Sequence, residues 1–191
     1  MIVHFTTSKQ DIKLEYENIS KLASTIRGFG HTFAREWWDD EYKRAVAGNA
    51  GAELDWKKIN EENMGALARA DVVIIEATGK TFSVGFQLAN AIQQKKPTLV
   101  LTKNNSLSGT FGSGISSDFV RFENYDSEEG ATKVIGDFLR DNTIDTKDMR
   151  FNFFINRPIY NYLRWASFKT GKTKAEILRQ LVEREIENRE P

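Results

Sequence analysis

The sequence predicts an α/β protein: a doubly wound parallel sheet followed by a small strand–helix–helix unit. Three observations carry that prediction. From residue 1 to about residue 140, apolar runs of strand length alternate with segments of helical periodicity, the pattern of strands joined by crossover helices. One of these runs, "ADVVIIEA", is almost continuously apolar and β-branched, as in a strand covered on both faces. Beyond the polar stretch "RDNTIDTKDM" the periodicity changes. The chain therefore divides into a body over 1–140, a linker over 141–149 and a second unit over 150–191.

The opening "MIVHF" reads as a strand, with His4 inside it as a core or pocket-wall histidine. Ile12, Tyr16, Ile19, Ala23 and Ile26 then recur at helical spacing up to Gly28. "HTFARE" is a candidate second strand, and the stretch from Trp37 to Trp56, with Gly48, Asn49 and Gly51, reads as a partly irregular excursion. A helix from Trp56 to Arg69 leads into "ADVVIIEA". Another follows from about Ser83 to Gln94, then the strand "PTLVLT", a Ser/Gly-rich loop, the strand "DFVRFEN" and a helix from Ser127 to Leu139. In the second unit "MRFNFFI" reads as a strand. "RPIYNYLRWASFKTG" is a helix with Pro158 at its start and Gly171 past its end. Thr173-Lys174-Ala175-Glu176 is a capping box opening a last helix.

Composition narrows the function classes. The chain has 191 residues, 40% hydrophobic and 28% charged, the profile of a globular protein. With no cysteine and only His4 and His31, neither disulfides nor a structural zinc site is expected. No apolar run reaches the ~18 residues of a membrane span, so a cytoplasmic protein without membrane or cofactor is expected. The net charge is zero, yet residues 150–191 carry 9 Lys and Arg against 5 Asp and Glu, whereas residues 1–149 carry 18 against 22. A basic tail on a mildly acidic body points to an anionic partner for the tail.

In open α/β sheets ligands bind beyond the carboxyl ends of the strands, and "EATGKTF" stands there. The stretch "DVVIIEATGKTFSVGFQLANA" resembles the nucleoside 2-deoxyribosyltransferase family, including its nucleotide N-glycosidase branch. Over roughly residues 1–140 the resemblance implies a Rossmann-like, deoxyribosyltransferase-like fold. It maps the strand-end acid onto Glu76, a loop hydroxyl onto Thr81, and the helix start that carries the family's nucleophile onto Ser83, Gly85 and Gln87. The family's second carboxylate, about eight residues before the strand, maps onto Asn63. Both acids therefore stand here as amides. An amide keeps the shape of its acid but is neutral and a far poorer nucleophile, so glycosyl transfer fails at its first step while hydrogen bonding survives. The family's phosphate loop maps onto Thr7 and Ser8 with Lys9, and lacks its glycines and arginine. The resemblance thus gives Gln87, Asn63 and Glu76 as the catalytic positions, and His4, Thr7, Ser8, Thr81, Ser83, Gly85 and Ser113 as ligand contacts. The loop 106–117 corresponds to the place where family members reach a neighbouring subunit's ligand.

The tail resembles a ribbon-helix-helix domain over residues 149–189, most specifically at "GKTKAEILRQLVE". That family pairs two strands into a ribbon that enters the DNA major groove, and holds a phosphate at the second helix N-terminus. The resemblance puts Arg150, Asn152 and Phe154 on the groove side and Lys172, Thr173 and Lys174 on the phosphate. Phe154 departs from the polar residue usual there. Together these features imply a homo-oligomer, at least a dimer through 150–191, that binds a nucleoside or nucleotide and DNA with little or no catalysis. The alternatives are an active N-glycosidase or deoxyribosyltransferase using Glu76, and an oligomeric scaffold with no ligand.

Overall fold

A computed structural model of the chain describes residues 1–10, 12–48, 55–103, 118–143 and 153–189. The chain divides into two compact units, Met1–Ile144 and Asp145–Pro191. The first is built on a five-stranded, all-parallel sheet in the order β2-β1-β3-β4-β5. Its strands are β1 (Ile2–Thr7), β2 (Thr32–Phe33), β3 (Val72–Glu76), β4 (Thr98–Lys103) and β5 (Val120–Tyr125). Its helices are α1 (Ile12–Gly28), α2 (Trp38–Val46), α3 (Trp56–Arg69), α4 (Phe82–Gln93) and α5 (Glu128–Asp141). This is the predicted α/β fold, wound both ways from β1, and its order reverses between β1 and β3.

The two sheet faces carry separate cores. Val3, Phe5, Val72, Ile74, Leu99 and Leu101 pack with residues of α1, α2 and α5 on one face. Val73, Ile75 and Val100 pack with Leu67 of α3 and Val84, Leu88 and Ala91 of α4 on the other. Every residue of β3 is buried, as its unbroken apolar run requires, and each buried aliphatic side chain contributes about 1.5–3 kcal/mol. Local chemistry starts the helices. Asp55, Thr81 and Ser127 cap α3, α4 and α5 by accepting from the backbone N–H of Lys58, Val84 and Gly130.

The excursion after β2 is more ordered than the sequence reading allows. Trp38–Val46 is a helix with Asp39, Asp40 and Glu41 in its first turn, where acids favour the dipole. Trp37 and Trp38 are core residues, with the Trp38 ring edge-on to Phe5 and Phe33 at 5.6 and 4.9 Å. The glycine cluster that suggested irregularity begins only at Gly48, where φ is 79°.

In the second unit α6 (Arg157–Thr170) and α7 (Lys174–Arg189) form a helical pair. Asn156 caps α6 and Gly171 ends it at φ 70°. Glu176 accepts from the Thr173 N–H at 2.7 Å while Thr173 Oγ1 accepts from the Glu176 N–H at 3.2 Å, the predicted capping box. Among the described residues 153–156 form no strand, so the described part of "MRFNFFI" departs from the expected strand. Arg150 and Asn152 lie outside the described residues.

Candidate functional site

Strand parity decides which sequence-predicted residues meet. β1 turns His4 and Thr6 toward α3 and α4, and Phe5 toward α1 and α5. Gln87 on α4 is buried against the first pair. His4 Nε2 lies 2.7 Å from Gln87 Oε1, and Gln87 Nε2 donates to Thr6 Oγ1 at 3.0 Å. Glu76 ends β3 on the opposite face. Its carboxylate accepts from Thr7 Oγ1 at 3.0 Å, the Tyr125 hydroxyl at 3.2 Å, the Thr78 N–H at 3.3 Å and the Thr78 hydroxyl. Asn18 of α1 donates to the Tyr125 oxygen at 3.0 Å, and burial with the Glu76 charge raises the Tyr125 pKa. Glu76 thus ties β1, β3, β5 and α1 together, and the sheet separates it from Gln87. Thr7 belongs to this knot rather than to the Gln87 side.

Asn63, Thr81 and Ser83 do converge. They line a cavity of about 730 Å³ with Lys9, Gln10, Ile12, Lys13, Leu14, Glu41, Trp56, Ile59 and Asn60, beside the β1/β3 switch point. Gln87 does not line it. Its side chain is folded inward between His4 and Thr6 and is 4% exposed. Ser8 is buried too, and its hydroxyl accepts from the Gln10 N–H at 3.2 Å. Gly85 lines a smaller, mainly apolar cavity of about 220 Å³ beside α4, with Thr81, Val84, Leu88 and Phe122. Ser113 and the loop 106–117 lie outside the described residues.

Among the described residues, Lys9 and Lys13 line the large cavity together with the carboxylate of Glu41. Glu41 is engaged by Lys9 at 3.3 Å and by Arg44. Lys9 also lies 5.5 Å from the Trp37 ring centre. Burial is the largest influence on the Lys9 pKa and lowers it, against the opposing pull of Glu41. A neighbouring charged cavity of about 360 Å³ shares Lys9, Glu41 and Ile59 and adds Arg35 and Glu62. Arg35 donates to Asn63 Oδ1 and to Glu62 Oε2, both at 2.5 Å. Sequence reasoning missed Arg35 and Thr6: Arg35 follows a two-residue strand, and its partners lie 27 and 28 positions away. Thr6 was accessible through strand alternation with His4.

His4 is 2% exposed, and its Nδ1 has no hydrogen-bond partner among the described residues. Burial lowers its pKa from the ordinary 6.5, outweighing the Gln87 hydrogen bond, and the Arg35 charge lowers it further. The unfolded chain therefore binds a proton near pH 6.5 that the folded chain refuses. The associated stability is complete above that pH and is lost as pH falls toward the folded-state pKa. His31, lowered by burial and the N-terminal charge, acts with the same sign. Urea unfolding between pH 7.5 and 5 is expected to show falling stability, with a shallower slope in His4→Gln. An unchanged slope would mean that His4 titrates alike in both states.

The fold and site define a Rossmann-like α/β protein whose large cleft lies beside the switch point of its sheet. No family model matches the chain, but three comparisons bear on it. Over 93 residues it is 33% identical to a Trichoplax adhaerens protein provisionally named 2′-deoxynucleoside 5′-phosphate N-hydrolase 1, covering 46% of this chain and 65% of that protein, just under two thirds. Over 138 residues it is 27% identical to the 5-hydroxymethyl-dUMP N-hydrolase of Rattus norvegicus, covering 71% of this chain and 82% of the relative. The solved structure of the CMP N-glycosidase BcmB from Clostridium botulinum superimposes with a TM-score of 0.50 at 11% identity, over 71% of this chain and 98% of that one. That last match is a likeness of fold. The relatives are nucleotide N-hydrolases, and the α/β unit has the deoxyribosyltransferase-like fold. Among the described residues no helix is long and apolar enough to cross a membrane.

Proposed function

We propose that the α/β unit binds a nucleotide in the large cleft without turning it over appreciably, and that the second unit pairs two chains and contacts DNA. The burial of Gln87 between His4 and Thr6 carries the first half of this reading. The residue at the nucleophile position is neutral, hydrogen-bonded inward and off the cavity wall. Lys9 and Lys13 suit the phosphate of a nucleotide, and the exposed Trp56 ring suits a base. Glu76, its carboxylate saturated on the other sheet face, is a support for the loop. Incubation with 2′-deoxynucleoside 5′-monophosphates is expected to raise the melting temperature and to release no base. Robust base release by the natural sequence would refute the non-catalytic reading, and a flat thermal screen would favour a scaffold.

The second half rests on what α6 and α7 leave uncovered. Only Leu163, Ala166 and Ile177 are buried, while Tyr160, Tyr162, Trp165, Phe168, Leu181, Val182 and Ile186 are exposed. So few buried side chains in so short a unit call for a second copy. The α6 sequence contains no acidic residue. The loop before α7 brings Lys172 and Lys174 to a helix N-terminus, with Lys172 on Gln180 at 3.1 Å and Lys174 4.4 Å from the Tyr160 ring centre. Replacing both lysines by alanine is expected to weaken duplex binding on every sequence and to reduce the slope of log K against log salt by roughly 2. If the natural protein retards no duplex at low salt, the unit only dimerises the chain. A ligand could regulate DNA contact only if its affinity differed between two arrangements of the chain.

A further inference from the structure

Arg35 fixes the hydrogen-bonding sense of the cleft wall. Its guanidinium has donors only, so the Asn63 atom that faces it at 2.5 Å must be the carbonyl oxygen Oδ1. The same fork holds Glu62 at 2.5 Å. Arg35 and Glu62 line the charged cavity, whereas Asn63 lines the large one, so the clamp grips Asn63 from behind the cleft wall. The Asn63 Nδ2 group has no hydrogen bond among the described residues and is the part left for the cleft. Thr81 behaves alike. Its oxygen accepts from the Val84 N–H at 3.4 Å, which leaves its hydroxyl proton to donate. Lys9 and Lys13 add further donors, and Glu41, a carboxylate among the described lining residues, is already engaged by Lys9 and Arg44.

We infer that Arg35 is a positioning residue that turns the Asn63 amide N–H groups into the cleft, which thereby selects a ligand presenting a proton-free acceptor oxygen to α3. A carboxylate at position 63 would do the reverse: it accepts protons from hydroxyls and repels phosphate and carbonyl oxygens. The acceptor is a phosphate oxygen or a carbonyl oxygen of a base. This assignment rests on the cleft being a nucleotide site, and it specifies which edge of the ligand that site reads.

The full-length chain tests it in two arms. In the first, calorimetry measures 2′-deoxythymidine 5′-monophosphate binding to the natural sequence, Asn63→Asp, Arg35→Gln and Arg35→Lys, with 2-deoxyribose 5-phosphate and free thymine as competitors. Asn63→Asp is expected to weaken binding at least tenfold without lowering the melting temperature, because Arg35 holds the introduced carboxylate in place. Arg35→Gln weakens binding several-fold, and Arg35→Lys falls between, since one ammonium cannot fork two acceptors. Competition by the sugar phosphate assigns the oxygen to phosphate, and competition by thymine assigns it to the base. Equal or tighter binding by Asn63→Asp overturns the donor assignment. The second arm needs no ligand: Asn63→Ala, Arg35→Gln and their combination are melted side by side. The losses should be non-additive, because either change alone breaks the clamp. Additive losses with ligand binding intact overturn the clamp while leaving the nucleotide reading standing. Failure of the mononucleotide to bind the natural chain overturns the ligand assignment together with that reading, whatever the clamp does.

Discussion

Gln87→Glu combined with Asn63→Asp is expected to create base release from 2′-deoxynucleoside 5′-monophosphates, at least about a thousandfold above the natural sequence. That is the scale on which removing a nucleophile silences an enzyme. The substitutions are nearly isosteric, so shape is kept and two charges are introduced. At position 87 the neighbours adapt readily. His4 Nε2, 2.7 Å from the Gln87 oxygen, can donate to a carboxylate, and the Thr6 hydroxyl can turn from acceptor to donor. A carboxylate there also favours protonated His4, so the depressed His4 pKa should rise in the single Gln87→Glu variant. NMR titration reads that effect independently of turnover. An unmoved His4 would break the hydrogen-bonded pairing, whereas a moved His4 without base release would break the mapping of this cleft onto the N-glycosidases.

The same geometry limits how fast such a variant can be. A carboxylate lying where Gln87 lies is behind the cavity wall and must swing outward to reach a sugar. At position 63, Arg35 would hold the introduced carboxylate ionised, so it would be a poor proton donor to the leaving base. Adding Arg35→Gln to the pair is therefore expected to raise the rate by a further factor of about ten or more. On this view three positions, and not two, keep the site silent.

Sequence legibility followed the range of the interactions. The strand "VVIIE" and the helices α3, α4 and α5 could be read because burial on both faces and helical periodicity leave their marks within a few residues. Gly171 and the Thr173–Glu176 box marked the tail helices for the same reason. α2 was missed although Trp38, Tyr42 and Ala45 stand at helical spacing behind an acidic first turn, because the glycines after it drew the reading toward a loop. The site divided in the same way. Asn63 and Thr81 were placed together on the strength of a motif. The opposition of Glu76 and Gln87 across the sheet depends on strand order and parity, which "EATGKTFSVGFQ" cannot reveal by itself. Arg35 is the extreme case: its role exists only once β2 and α3 are side by side.

Trp38→Ala is expected to be among the most damaging single changes in the α/β unit, costing about 3–5 kcal/mol. The side chain is 1% exposed and packs edge-on against Phe5 of β1 and Phe33 of β2, with Trp37 beside it. Its removal leaves a large void at the edge of the sheet, where β2 contributes only two residues and cannot collapse inward without losing its pairing with β1. For a unit of this size the loss corresponds to a melting temperature lowered by roughly 6–20 °C. Trp38→Phe, which keeps an aromatic edge in place, should lose less than half as much. The effect extends to the cleft because Trp38 anchors the first turn of α2. That helix carries Glu41 to its contacts with Lys9 and Arg44, and Tyr42 into its stack on Tyr16 at 3.9 Å. Nucleotide affinity measured well below the variant's melting temperature should therefore fall along with stability. A Trp38→Ala protein that melts within 2 °C of the natural chain would mean that α2 is held by Tyr42 and Glu41 rather than by its buried indole, and the cleft wall would then be independent of the core beneath it.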